Sequence, residues 1–213
     1  IKGYLKLKKD SVSVVKNCIR FSPNATAADC VQKIFVMEDI PAFKAEKFLT
    51  AERNYLSRID FELKQITKLD GYVQKYTRDW EDVDKELKTD KSIGRQLKKD
   101  RLVEDLLPES VSSMPNNLEK ARKIYKYVQD EFNWNEKYNI YADMNIRNIL
   151  DEKTGSVLEI NTILHNLYTS EGFNVLPVMS ATRSKGFPTK LHPVLGDFNY
   201  FFVHLKLEEK TYL

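Results

Sequence analysis

Apolar and polar positions alternate through the first third of the chain. In NYLSRIDFELKQI, Tyr55, Ser57, Ile59, Phe61 and Leu63 fall on one side of an extended backbone, and Asn54, Arg58, Asp60, Glu62 and Lys64 fall on the other. That period of two predicts a half-buried antiparallel strand. Shorter runs of the same kind, SVSVVKNCI and CVQKIFVM, precede it, joined by a stretch whose Ser22, Pro23, Asn24 and Asp29 read as a loop. In DIPAFKAE the pattern is interrupted by Pro41, which has no N–H to give to a strand ladder. Strands with one apolar face need a second layer to cover it, so residues 1–78 are expected to form a β-sandwich portion.

From Asp79 the period lengthens. Trp80, Val83 and Leu87 recur at helical spacing, and the polar SIGRQLKKDRLVEDLLPESVSS reads as partly helical, so 79–112 is expected to be a helical connection. After MPNN, Leu118, Ala121, Ile124, Tyr125, Val128 and Phe132 trace one face of a helix, with Asn116 or Asn117 placed to cap it. A short helix is expected at NIRNIL and a longer one within KTGSVLEINTILHNLYTSEGF. Two strand-like runs, FNVLPVMSAT and FNYFFVHLKL, close the chain around a loop holding Gly186, Pro188, Pro193 and Gly196. The reading is an α+β protein whose residues 113–213 form a core of helices on an antiparallel sheet.

Composition adds exclusions. Hydrophobic residues make up 42% of the 213, enough for a sizeable core. The 34 Lys and Arg nearly balance the 31 Asp and Glu and are interspersed with them, so no nucleic-acid-tracking surface is expected. No apolar run approaches the roughly 18 to 20 residues of a membrane span. IKGYLKLKKDSVSVV opens abruptly and EEKTYL stops within a strand pattern, so both ends are expected to be cut from a longer protein, with export compatible. Cys18 and Cys30 are either a cross-strand disulfide or two small hydrophobes in strands. Two cysteines and three scattered histidines make no metal-site spacing, and no metal or cofactor is expected.

The order ARKIYKYVQDEFNW, then TGSVLEINTILHNLYTSEGFNVLPV, then FNYFFVHLKLEEKTYL resembles the transglutaminase-like superfamily, whose core has the papain-like fold. The resemblance covers roughly 113–213, and PAFKAEKFLTAERNYLSRIDFELKQI resembles the β-rich domain that precedes such cores in bacterial exported proteins. It implies a catalytic Cys at the start of the second helix, a His on a neighbouring strand that opens with Asn-His, and an Asp that orients the His. The placement has a physical reason: unpaired N–H groups and the helix dipole at a helix N-terminus lower a thiol's pKa. The His then serves as base and the Asp fixes its orientation.

Counting back from Gly172 by the family's spacing lands on Val157. Ser156 precedes it and forms S-x-x-E with Glu159, the pattern of a capping box, so its hydroxyl is read as an N-cap. FNY stands where the family has Asn-His, which puts Tyr200 in the place of the base. His204 shares Tyr200's strand face but lies roughly 13 Å further along. The Asp, expected directly after KTYL, falls beyond Leu213. His165 and His192 are read as ordinary core or surface residues. Arg183 in SATRSKGFP is a candidate for a ligand carboxylate or phosphate, or a solvated strand-end arginine. Trp134, Tyr138, Tyr141, Tyr200 and Phe201 are read as core, the alternative being a groove.

These residues point to a catalytically degenerate member of the family. The expectation is a binding or scaffold module of the bacterial cell envelope, periplasmic or secreted, that holds a peptide, protein or glycan through Ser156, Tyr200, His204 and Arg183. The competing expectation is an active hydrolase or transferase using Ser156 or His204.

Overall fold

The computed structural model describes residues 7–20, 27–57, 59, 61, 63–68, 70–76, 79–138 and 140–213. The chain forms two compact units, Ile1–Phe61 and Glu62–Leu213. Helices and strands both contribute, and the protein is α+β.

In the first unit β1 (Leu7–Ile19) and β2 (Ala28–Met37) pair antiparallel, with Val14 opposite Val31 and Val15 opposite Cys30. Both runs were legible from their alternation. The connecting residues Ser22, Pro23 and Asn24 lie outside the described residues. Cys18 and Cys30 are joined in a disulfide with Cα atoms 5.8 Å apart, which decides between the two readings of the cysteines. The half-buried strand expected over 55–63 is not formed among the described residues: Glu52–Asn54 is a 3-10 turn, and Ile59, Phe61 and Leu63 are exposed. Arg58, Asp60 and Glu62 of that stretch lie outside them. Alternation marks a backbone that could pair, but a strand exists only where another strand takes up its N–H and C=O groups. The described residues of this unit form one two-stranded ladder, without a second sheet facing it.

The second unit opens with a small hairpin, β3 (Gln65–Thr67) on β4 (Val73–Lys75), and then α1 (Trp80–Thr89), capped by Asp79, whose carboxylate accepts from the Asp82 amide at 2.8 Å. The stretch expected as a connection over 79–112 is instead part of the core. Val83, Ile93, Val103 and Leu107 are buried there, along a path of turns, a 3-10 turn at Asp100–Leu102 and the short α2 (Glu109–Ser112). Of the two capping candidates, Asn117 caps α3 (Leu118–Glu131), accepting from the Lys120 amide at 3.0 Å. Next come β5 (Asn133–Trp134), α4 (Ile146–Glu152) and β6 (Thr154–Gly155), with β5 and β6 pairing in parallel.

At the centre is α5 (Val157–Ser170), which packs on α3, on α4 and on the antiparallel sheet β7 (Asn174–Ser180), β8 (Tyr200–Leu207), β9 (Lys210–Tyr212). Its buried residues run almost without a break from Thr162 to Tyr168, the signature of a helix enclosed on all sides. Its polar side chains are satisfied inside: Thr162 donates to the Leu158 carbonyl at 2.8 Å, Asn166 to the Gln96 carbonyl at 2.9 Å and Tyr168 to the Ala121 carbonyl at 3.0 Å. Gly172, at φ +75°, ends the helix. The Phe173 amide returns to the Tyr168 carbonyl at 2.9 Å and the Gly172 amide to that of Thr169 at 3.0 Å, while the Tyr168 and Phe173 rings meet at 5.6 Å. This is a Schellman stop with its hydrophobic contact, and it fixes where β7 begins.

Candidate functional site

The site is built at the start of α5. Gly155 brings the chain in so closely that a Cβ there would lie 3.0 Å from the Glu159 Cβ. Ser156 is the N-cap: the Glu159 amide donates to its Oγ at 3.4 Å, and the Ser156 amide donates to Glu159 Oε2 at 2.7 Å. The capping box read in S-x-x-E is therefore formed, and the hydroxyl is engaged with its own helix. Val157, the first helical residue, is buried at 6% exposure. Its amide donates to the Lys137 carbonyl at 3.1 Å, so it is not available to a substrate oxygen.

That carbonyl ties the start of α5 to a run of aromatic side chains. Trp134 Nε1 donates to the same Lys137 oxygen at 3.2 Å. The Trp134 ring meets Tyr138 at 5.2 Å, Tyr138 meets Tyr200 at 5.9 Å, and Tyr200 meets Phe202 at 6.4 Å. Tyr138 thus stands between the start of α5 and Tyr200. Of the five aromatics read as core, Phe201 is buried at 1%, whereas Trp134, Tyr138 and Tyr141 are exposed and Tyr200 is half-buried. The alternation of β8 explains the split: Phe201, Val203 and Leu205 turn inward and Tyr200, Phe202 and His204 outward.

A cavity of about 640 Å³ lies beside this run. Asn161, Leu164 and Tyr168 form its helical wall, on the stripe of α5 that begins at Val157, and Tyr200, Phe202 and Arg183 close it from the sheet side. Asn161 Nδ2 donates to the Val157 carbonyl at 2.9 Å, which links the stripe to the helix start. Burial pushes the Tyr168 phenol up, with Tyr125 adding to it, so it stays a neutral donor. Of the four binding candidates, the structure brings Tyr200 and Arg183 to the cavity and leaves Ser156 and His204 outside its lining. His204 pairs with Leu176 on the outer face of the sheet, four residues along β8 from Tyr200.

No known protein family, characterised protein or solved structure matches the chain in sequence or structure comparison.

Asn199, part of the FNY that stands against the family's Asn-His, has a role that the sequence did not assign. Its Oδ1 accepts from the Thr182 amide at 2.8 Å and its Nδ2 donates to the Thr182 hydroxyl at 2.9 Å, holding the end of β7 against the start of β8 and with it Arg183 and Tyr200. The signal was an amide residue immediately before a strand. His165 is buried beside Asn166, its Nδ1 3.2 Å from the Asn166 Oδ1, and desolvation lowers its pKa. Tyr141 donates to the Leu195 carbonyl, and burial, reinforced by Asp197, pushes its pKa to about 12. Among the described residues no cluster of three His, Cys, Asp or Glu side chains is placed to hold a metal ion. No described helix is long and apolar enough to cross a membrane.

Proposed function

We propose that this chain is a catalytically degenerate transglutaminase-like protein, its papain-like core preceded by part of a β-sandwich domain, that works as a binding or scaffold module in the bacterial cell envelope. The cavity beside Tyr200 and Arg183 holds a peptide, protein or glycan segment. The observation that carries the reading is Val157: a buried valine, with its amide already bonded, occupies the helix start where the family's thiol would stand. A valine there gains by leaving water and offers neither lone pair nor proton.

Three further features support it. The Ser156 hydroxyl caps its own helix, the Tyr200 ring packs tilted against Tyr138, and His204 lies off the cavity. A phenol lacks the imidazole nitrogen that takes the thiol proton in the family's pair. The Cys18–Cys30 disulfide supports an oxidising compartment.

The test is enzymatic. Purified wild type should neither hydrolyse nor cross-link glutamine peptides above a mock preparation, and Val157→Cys with Tyr200→His should gain weak, thiol-dependent turnover. Activity in wild type that is lost in Ser156→Ala would overturn the reading in favour of a serine nucleophile.

A further inference from the structure

Away from the aromatic cavity, Lys98, Lys99, Arg101 and Arg147 line a second cavity of about 370 Å³, with Asp100 and Asn145 beside them. Four cations face one carboxylate, an excess of three that equals the formal net charge of the whole chain, +3. Several cations elsewhere are paired, within single helices as in Lys85–Glu81, Lys88–Asp84, Lys123–Glu119 and Lys126–Asp130, or across elements as in Lys91–Asp143 and Lys120–Glu171. Among the described residues Lys98, Arg101 and Arg147 make no ion pair. Lys98, Lys99 and Arg101 are neighbours in the sequence KKDR, and the fold adds Arg147 to them although like charges repel.

The convergence is fixed by buried groups. Gln96, exposed by 6%, accepts from the Ile146 amide at 3.2 Å and from Lys99 Nζ at 2.8 Å through its Oε1, and donates to the Lys91 carbonyl at 2.8 Å. One side chain thus holds the 98–102 turn against the start of α4. Its own carbonyl is held by Asn166 of α5 at 2.9 Å, and Val103, fully buried, anchors the far end of the turn. Asn145 accepts from the Arg147 amide at 3.2 Å, which sets the backbone from which Arg147 projects.

We propose that this cavity binds a phosphate group, carried either by a soluble compound or by a lipid headgroup. Two guanidinium forks supply paired N–H donors that match phosphate oxygens, and two ammonium groups supply point charge. The volume exceeds what a bare phosphate needs, leaving room for the moiety that carries it. The site is independent of the aromatic cavity and of any activity there.

Inorganic phosphate is titrated into the full chain by calorimetry, at constant ionic strength against chloride. Saturable binding is expected, weakened by about tenfold or more in Arg101→Gln/Arg147→Gln, the equivalent of about 1.4 kcal/mol, and unchanged in Lys126→Gln. Circular dichroism checks that the double variant folds; if it does not, Lys98→Gln is read in its place. Co-sedimentation with phosphatidylcholine vesicles, with and without phosphatidylglycerol, separates the sources. Phosphatidylglycerol-dependent retention, lost in the variant, assigns a headgroup, and phosphate binding without retention assigns a soluble ligand. Absence of both phosphate binding and retention, or equal binding by wild type and variant, overturns the proposal and leaves a solvated basic patch.

Discussion

The two units solve the burial problem differently. In Glu62–Leu213 the apolar residues that recur at helical or strand spacing go inside: Ile124, Ile146, Ile163 and Leu167 are all fully buried around α5. In Ile1–Phe61 the spacing is as regular, yet Val12, Val14 and Val31 are 63–64% exposed and Phe48 is 96% exposed. Ala51 is the buried hydrophobic residue among the described residues of that unit. A hairpin with both faces open draws its order from its ladder and its cross-link, while a helix enclosed on every side draws it from packing. Amphipathic pattern is therefore a statement about what a segment can cover, and the fold decides whether anything covers it.

The largest effect should come from the most enclosed charge. Lys120, 3% exposed, donates to Glu171 at 2.6 Å and to the Ser112 carbonyl at 2.9 Å, while Asn116 donates to the Glu171 carbonyl at 2.6 Å. This knot ties α2 and α3 to the end of α5. Lys120→Met keeps the aliphatic stem but strands the carboxylate, and should cost about 3–5 kcal/mol in urea denaturation. Adding Glu171→Gln should recover a substantial part. Equal loss in the single and double variants would show that packing, and not charge pairing, holds this end.

Breaking the disulfide should act elsewhere. Cys18→Ser/Cys30→Ser opens a short cross-strand loop, worth about 3 kcal/mol for a ring of this size. Hydrogen exchange should quicken at the β1 and β2 amides while those of α5 keep their protection. Loss of protection in α5 would mean that the units do not have separate stabilities.

How much was legible follows the same division. The helices α1, α3 and α5 could be placed because their apolar residues recur at intervals of three and four, and Ser156 could be assigned because S-x-x-E is a local pattern with a local consequence. The β1, β2, β7 and β8 strands were legible from alternation. Among the described residues the strand expected over 55–63 is not formed, because pairing depends on a distant segment that alternation does not identify. The 79–112 stretch was misread as a connection because its buried residues, Val83, Ile93, Val103 and Leu107, follow no single period. At the candidate site, Val157 and Tyr200 were picked out by the family resemblance and Asn199 stood in FNY without an assigned role, while Asn161 and Tyr168 line the cavity through tertiary contacts and carry no motif. Of the cations at the second cavity, Lys98, Lys99 and Arg101 stand together in KKDR, and only the fold brings Arg147, more than forty residues further on, to meet them.

A smaller effect is expected at the cap. Ser156→Ala removes the acceptor for the Glu159 amide and should cost about 0.5–2 kcal/mol, measured by thermal or urea unfolding. Since the hydroxyl serves the helix, ligand binding in the aromatic cavity should survive. Unchanged stability with altered binding would move Ser156 from the frame to the site.

The smallest effect is a slope. His165 is buried in the second unit, and desolvation lowers its pKa, outweighing the hydrogen bond to Asn166 and the charge of Asp100, which both raise it. The unfolded chain therefore takes up a proton near the ordinary pKa of about 6.5, while the folded chain stays neutral until lower pH. Between those two points the unfolded state binds more protons, so stability falls as pH falls through 6.5 and levels off below the folded pKa. His165→Gln removes the titrating group and should flatten the part of the curve below about pH 7 that this side chain contributes. Urea midpoints measured across that window in both proteins decide it: if the variant keeps the full wild-type slope, the proton uptake belongs to other groups, and the burial of His165 has no consequence for stability near neutral pH.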